Sequence, residues 1–198
     1  MSRRYFPEVL DTLGELPVAR KVRYAKGQYV YLPHDASRFI YILTQGAIKV
    51  GGYAPSGQEV IFDCLLPAEF CGNLQFIEGD FFTEFAKTLV SSEALEIPAQ
   101  SFKDMIQADT LVAAWFHEIS TLRWWRAENR LFRIASEKPI ARIQHLLPML
   151  KSQIVDIEES THNLMQLLSY QDIADLSGLS RQSVARLLKS LTENKIKA

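Results

Sequence analysis

Cysteine is scarce: Cys64 and Cys71 are the only two in 198 residues. No disulfide framework can staple such a chain, and a reduced, cytoplasmic setting is expected. Both lie in apolar strand context, where small buried hydrophobes fit better than a redox pair. No apolar run approaches the ~18 residues of a membrane span, so no membrane partner is expected. The first residues, MSRRYFPEVLDTLGELP, carry Arg3 and Arg4 with no apolar stretch behind them, which argues against a signal peptide or a twin-arginine export signal. Neither sign of charge dominates, with 22 Lys and Arg against 23 Asp and Glu. A polyanionic partner must therefore be argued from local charge. His34, His117, His145 and His162 are scattered without metal-ligand spacing, which counts against zinc and against a cupin-type metal enzyme; haem ligation through one of them stays open. A nucleophile elbow, a phosphate-binding glycine loop and a catalytic carboxylate pair are all missing, so no catalytic residue is assigned and an enzyme is the weak alternative.

What the chain does hold changes character along its length. From Ala19 to about Pro98, glycines and prolines separate short β-rich runs, among them QYVYL, FIYILTQ, AIKVGGY and EVIFDCLL. Strands at this spacing predict an antiparallel, jelly-roll-like β-roll. QGAI around Gly46 and APSGQE around Gly57 read as hairpin turns.

Turn residues vanish after Ser101, and a helical pattern runs from about Thr110 to Ser136. Leu111, Trp115, Leu122, Trp125 and Phe132 fall on one 4-3-4-3 ladder whose other rungs are Glu118 and Asn129, with Ile119 beside the first. A helix of ~26 residues reaches ~39 Å, more than a compact roll needs for cover. The stripe either packs on the roll or forms a two-fold homodimer seam of Leu111, Trp115, Ile119, Leu122, Trp125, Asn129 and Phe132; its length favours the seam. Pro139 breaks the pattern and predicts a hinge at Ser136 to Pro139.

The stretch LSYQDIADLSGLSRQSVARLLKSL reads as two short amphipathic helices joined by a glycine turn. Ser169 with Asp172 forms a capping-box-like start, Gly178 allows the turn, and Ser180 caps the second helix. Ile173, Ala174, Leu176 and Leu179 face inward against Val184, Leu187 and Leu188. Arg181, Gln182, Ser183, Arg186 and Lys189 are left on the open side, in a segment from Ser177 to Leu191 that contains no Asp or Glu. A helix so placed can enter a DNA major groove, where Arg reads guanine and Gln reads adenine; the alternative is a solvated basic helix in some bundle.

Taken in order, KGQYVYLPHDASRFIYILTQGAIKV, FCGNL, a long helix and LSYQDIADLSGLSRQSVARLLKSL make the chain resemble the Crp/Fnr family of bacterial transcription regulators. The resemblance implies an α+β fold: an effector-sensing β-roll over 1–109, a long dimerisation helix over 110–136, and a winged-helix-type helix-turn-helix domain over 139–198. It implies a homodimer on double-stranded DNA with a palindromic operator, RNA polymerase as a partner, and a small-molecule effector that the sequence does not name. Arg181, Gln182 and Arg186 match the family's base-contacting positions, and Ser169, Gln171, Ser180, Ser183 and Lys189 match positions near the phosphates. The effector pocket falls on Gly72, Asn73, Leu74, Phe82, Thr83, Ala127 and Glu128. The cyclic AMP-binding relative has Glu where Asn73 stands and Arg where Phe82 stands, so an anion buried in this roll is expected to meet no charge partner and cyclic AMP is not the expected effector. The N-terminal cysteines of iron-sulfur relatives are absent, so no such cluster is expected. A further β-hairpin wing is implied beyond Ala198, where this chain ends. The rival reading is a signalling module that uses its roll alone.

Overall fold

The computed structural model describes residues 6–33, 38–74 and 82–196. A short helix, α1 (Phe6–Gly14), leads into eight strands: β1 (Arg20–Tyr24), β2 (Tyr29–Tyr31), β3 (Phe39–Gln45), β4 (Ile48–Tyr53), β5 (Glu59–Leu65), β6 (Phe70–Cys71), β7 (Phe85–Thr88) and β8 (Ser92–Pro98). They pair antiparallel into two four-stranded sheets, ordered β1-β8-β3-β6 and β2-β7-β4-β5.

The run FIYILTQ is apolar on both sides because its sheet is covered on both sides. Side chains alternate across a strand. Tyr41 and Leu43 of β3 enter the core between the sheets with Tyr31, Ile48, Val50 and Leu65. Ile40 and Ile42 point the other way, into a second core with Val9 and Leu13 of α1, Phe102 of α2 (Ala99–Ala108) and Trp115 of α3 (Thr110–Ser136).

One turn expectation is corrected. Gly57 does close the β4–β5 hairpin, with Gly57 N–H donating to Ala54 O at 2.8 Å. Gly46 does not close a hairpin: β3 and β4 lie in different sheets, so QGAI carries the chain across the sandwich. There Gly46 N–H donates to Val155 O at 3.1 Å, tying the crossing to the C-terminal half.

The long helix is where the ladder predicts one, and Asp109 caps it by accepting from the amides of Leu111 and Val112. The dimer-seam expectation needs correction at its first rungs. Trp115 and Ile119 are fully buried in their own chain, Trp115 donating its indole N–H to Ala68 O at 3.1 Å, and Leu111 packs on the same core. Trp115 and Ile119 have no free face for a partner, and Leu111 is half-buried. The second half of α3 is different: Trp124 is 64 % exposed, Trp125 57 %, Leu131 69 % and Phe132 67 %. Leu122 and Asn129 are half-buried.

After the break comes α4 (Pro139–Leu150), a hairpin of β9 (Gln153–Val155) and β10 (Thr161–Asn163) that the sequence reading did not foresee, then α5 (Leu164–Leu167), α6 (Tyr170–Ser177) and α7 (Arg181–Ile196). Ile143, Leu150, Ile154, Leu164, Ile173 and Val184 share one core cluster with Ala47, Ile61, Cys64 and Phe85 of the roll. The C-terminal half is thus docked on the roll. Among the described residues no helix is long and apolar enough to cross a membrane.

Candidate nucleic-acid interface and the interior of the roll

The helix pair α6–α7 is built by local chemistry. Ser169 Oγ accepts from Asp172 N–H, and the Asp172 carboxylate accepts from Ser169 N–H, a complete capping box. Gly178 turns the chain in the left-handed region at φ 62°, and a Cβ there would meet the Ile134 side chain at 2.9 Å. Ser183 N–H donates to Ser180 Oγ at 3.2 Å, opening α7. Ile173, Ala174, Leu176 and Val184 are buried between the helices. This leaves Arg181, Gln182, Arg186 and Lys189 exposed on α7, with Ser183 half-buried beside them. The predicted phosphate-side residues are committed in part: Ser169 also donates its hydroxyl to Asp172, and Gln171 Nε2 donates to Asp175 Oδ1 at 2.7 Å.

Two carboxylates of α6 reach back to the roll. Lys49 Nζ of β4 lies 2.8 Å from Asp172 Oδ1, and Ile61 N–H donates to Asp175 Oδ2 at 3.1 Å. Burial pushes the Asp172 carboxyl up, but Lys49 and Ser169 outweigh it and hold the group below its ordinary value.

The effector-pocket residues scatter. Gly72 has φ 114°, and a Cβ there would strike Phe39 O at 2.5 Å, so only glycine fits. Leu74 packs on the α1–α3 core, and Phe82 lies against Tyr31 with ring centroids 5.6 Å apart. Asn73 is half-buried, whereas Thr83 and, on α3, Ala127 and Glu128 are exposed.

The expectation that the roll offers no charge partner is overturned. Arg123 of α3 reaches in, its guanidinium 3.6 Å from Asp63 and 3.6 Å from Glu84 and donating to Phe70 O at 3.1 Å. Arg130 adds a second contact to Asp63 at 3.6 Å, and Arg126 pairs with Glu69 at 2.7 Å. Tyr31 donates its hydroxyl to Glu84. Burial lifts the Glu84 carboxyl above its ordinary value, against the pull of Arg123 and Tyr31. These groups are far apart in the chain, and only an alternation of Arg at 123, 126, 130 and 133 hinted that α3 carries a second, cationic stripe.

Both cysteines are buried and free. Burial pushes the Cys71 thiol up to about 12 and the Cys64 thiol further, so neither forms a thiolate near neutral pH. His117 and His145 are solvent-facing on α3 and α4, His162 pairs with Asp156 at 2.6 Å, and His34 lies outside the described residues.

A two-sheet roll, a long connecting helix and a helix-turn-helix with a basic outer face define a sensor-type domain joined to a DNA-binding domain. Two family models match in that order: the cyclic nucleotide-binding domain over 21–109, and the bacterial regulatory proteins of the crp family over 167–196. The chain belongs to the Crp/Fnr family of transcription regulators. It is 26 % identical to the cAMP-activated global transcriptional regulator CRP of Haemophilus influenzae, over 87 % of this chain and 76 % of that one. It is 24 % identical to the global nitrogen regulator of Synechococcus elongatus, over 92 % and 83 %. The solved structure of FixK2 from Bradyrhizobium japonicum superposes with a TM-score of 0.71 at 18 % identity, covering 90 % of this chain and 87 % of that one. The c-di-GMP responsive regulator CLP of Xanthomonas campestris also gives 0.71, at 21 % identity over 96 % and 93 %.

Proposed function

We propose that the protein acts as a homodimer in the cytoplasm and reads a palindromic operator by inserting α7 of each protomer into the major groove. The observation that carries this is the open face of α7, where Arg181, Gln182, Arg186 and Lys189 are exposed and no acidic residue occurs from Ser177 to Leu191. Arg181 and Arg186 read guanine edges, Gln182 reads its neighbour base, and Lys189, Ser180 and Ser183 meet phosphates along with Ser169 and Gln171. The seam is the exposed second half of α3, with Trp124, Trp125, Leu131 and Phe132 covered by their copies. Such a dimer presents its two α7 helices about 34 Å apart, one turn of DNA. RNA polymerase is the partner through which the bound dimer alters transcription.

The effector is a small molecule other than cyclic AMP. Relatives carry cyclic AMP activation in their names. Here Arg123 is already engaged by Glu84 and Asp63, so a cyclic phosphate would have to displace an internal carboxylate. Selection from random DNA tests the reading: two-fold symmetric sites bound with a steep salt dependence are expected. Weak binding, indifferent to sequence, would refute it.

A further inference from the structure

Where the second half of α3 meets α4 and α6, the structure forms a half-open cavity of about 320 Å³. That is the lower end of the range for small-molecule sites. Its walls are of two kinds. Trp125, Ile134, Leu146, Met149 and Leu176 give it an apolar body. Arg126, Arg130, Arg133 and Arg142 give it cations, His145 adds an imidazole, and no carboxylate lines it.

The charges do not cancel behind the walls. Arg126 is held by Glu69 at 2.7 Å, Arg130 by Asp63 at 3.6 Å, and Arg133 by Glu137 at 3.0 Å. Asp63 is shared with Arg123, itself also paired to Glu84. Among the described residues Arg142 makes no ion pair; it donates only to backbone carbonyls, Nε to Glu137 O at 2.9 Å and Nη1 to Gly178 O at 3.3 Å. Glu137 in turn holds Arg133 and, at 3.4 Å, His145, while its other carboxylate oxygen is buried with no hydrogen-bond partner. A half-buried guanidinium without an ion-pair partner, lining a cavity that also has an apolar body, is a recognition element for an anion.

We propose that this cleft is a binding site, separate from the roll's interior, for a small amphipathic anion: an apolar or aromatic body carrying one carboxylate or phosphate. The body lies against Leu146, Met149 and Ile134, and the head pairs with Arg142 beside His145. A purely neutral apolar ligand would leave the Arg142 charge unmatched. A bare inorganic anion would leave the apolar walls in contact with water. Trp125 stands at the rim and belongs also to the exposed stripe of α3. A molecule held between α3 and the α6–α7 turn at Gly178 fixes the placement of the helix pair relative to α3, and so biases DNA affinity. That last consequence rests on the DNA-binding reading above; the site itself does not.

The test uses the full chain without DNA. Decanoate and 1-naphthylacetate are titrated in a calorimeter and by tryptophan fluorescence, each beside its neutral amide. At least one acid is expected to bind one per chain, at least tenfold more tightly than its amide. Arg142→Gln should abolish that tenfold preference, Arg142→Lys should keep most of it, and Leu146→Trp, which fills the cavity, should remove binding. No saturable binding of either acid, equal affinity for acid and amide, or a preference that survives Arg142→Gln at an unchanged melting temperature would each overturn the proposal. Should Arg142→Gln lower the melting temperature, Leu146→Trp decides: undiminished binding to that folded variant refutes the site.

Discussion

Replacing Lys49 by Met should loosen the C-terminal half from the roll. Lys49 and Asp172 approach to 2.8 Å with side chains only 15 % and 10 % exposed, so the pair is closer to a buried one than to a surface one. Removing one member of a buried pair leaves an uncompensated charge and costs ~3–5 kcal/mol. Here the Ser169 hydroxyl and amide still bind Asp172, and some water reaches the site, so the expected loss is about 2–3 kcal/mol. Combining Lys49→Met with Asp172→Asn should cost less than the two single changes added together, by at least about 1 kcal/mol. The pH dependence has a definite sign. The folded Asp172 carboxyl titrates below its ordinary value of 3.8, so its stabilisation is present above that value and is lost as pH falls through the lower folded one. In Lys49→Met the burial penalty remains without the ammonium, and this acid-side loss should shrink. Urea unfolding followed by circular dichroism between pH 3 and 7 measures both effects. A variant within about 0.5 kcal/mol of the parent, as for a surface pair, or a strictly additive double variant, would refute the account.

Replacing Leu131 and Phe132 together by Ala should convert the dimer to monomer in sedimentation, since each truncation of an apolar group at a seam removes ~2–5 kcal/mol; an unchanged dimer would move the seam elsewhere. Arg181→Ala or Arg186→Ala should each weaken operator binding by ~1–3 kcal/mol and relax preference at one base pair, whereas Lys189→Ala should weaken binding to all sequences alike and lower the salt slope by ~1. Gln182→Glu exchanges a donor and acceptor for a pure acceptor, so selected sites should shift toward cytosine at that position; identical preferences would remove Gln182 from the base readers. Micromolar cyclic AMP should leave the melting temperature unchanged, and a saturable rise would show that the Arg123 cluster opens to the ligand.

The helix-turn-helix was written locally. The Ser169–Asp172 capping box, the left-handed Gly178 and the apolar spacing of Ile173, Ala174 and Val184 each act within a few residues, so the sequence by itself determined that unit and its outward basic face. Strand content was legible for the same reason. What covers each face was not. Ile40 and Ile42 alternate with Tyr41 and Leu43 whether one side of β3 is wet or both are dry, and a 4-3-4-3 ladder looks the same against a roll or against a partner helix. Only the docking of α1 and α2 decided that Trp115 and Ile119 belong inside the chain, while Trp125 and Phe132 of the same ladder stay exposed. Ion pairs are further from local reading still. Lys49 and Asp172 are 123 residues apart, and Arg126 and Glu69 are 57 apart. A charge carries no mark of its partner until packing brings the two out of water together, so the carboxylates that meet the cationic stripe of α3, and the cavity beside Arg142, came from the tertiary structure alone.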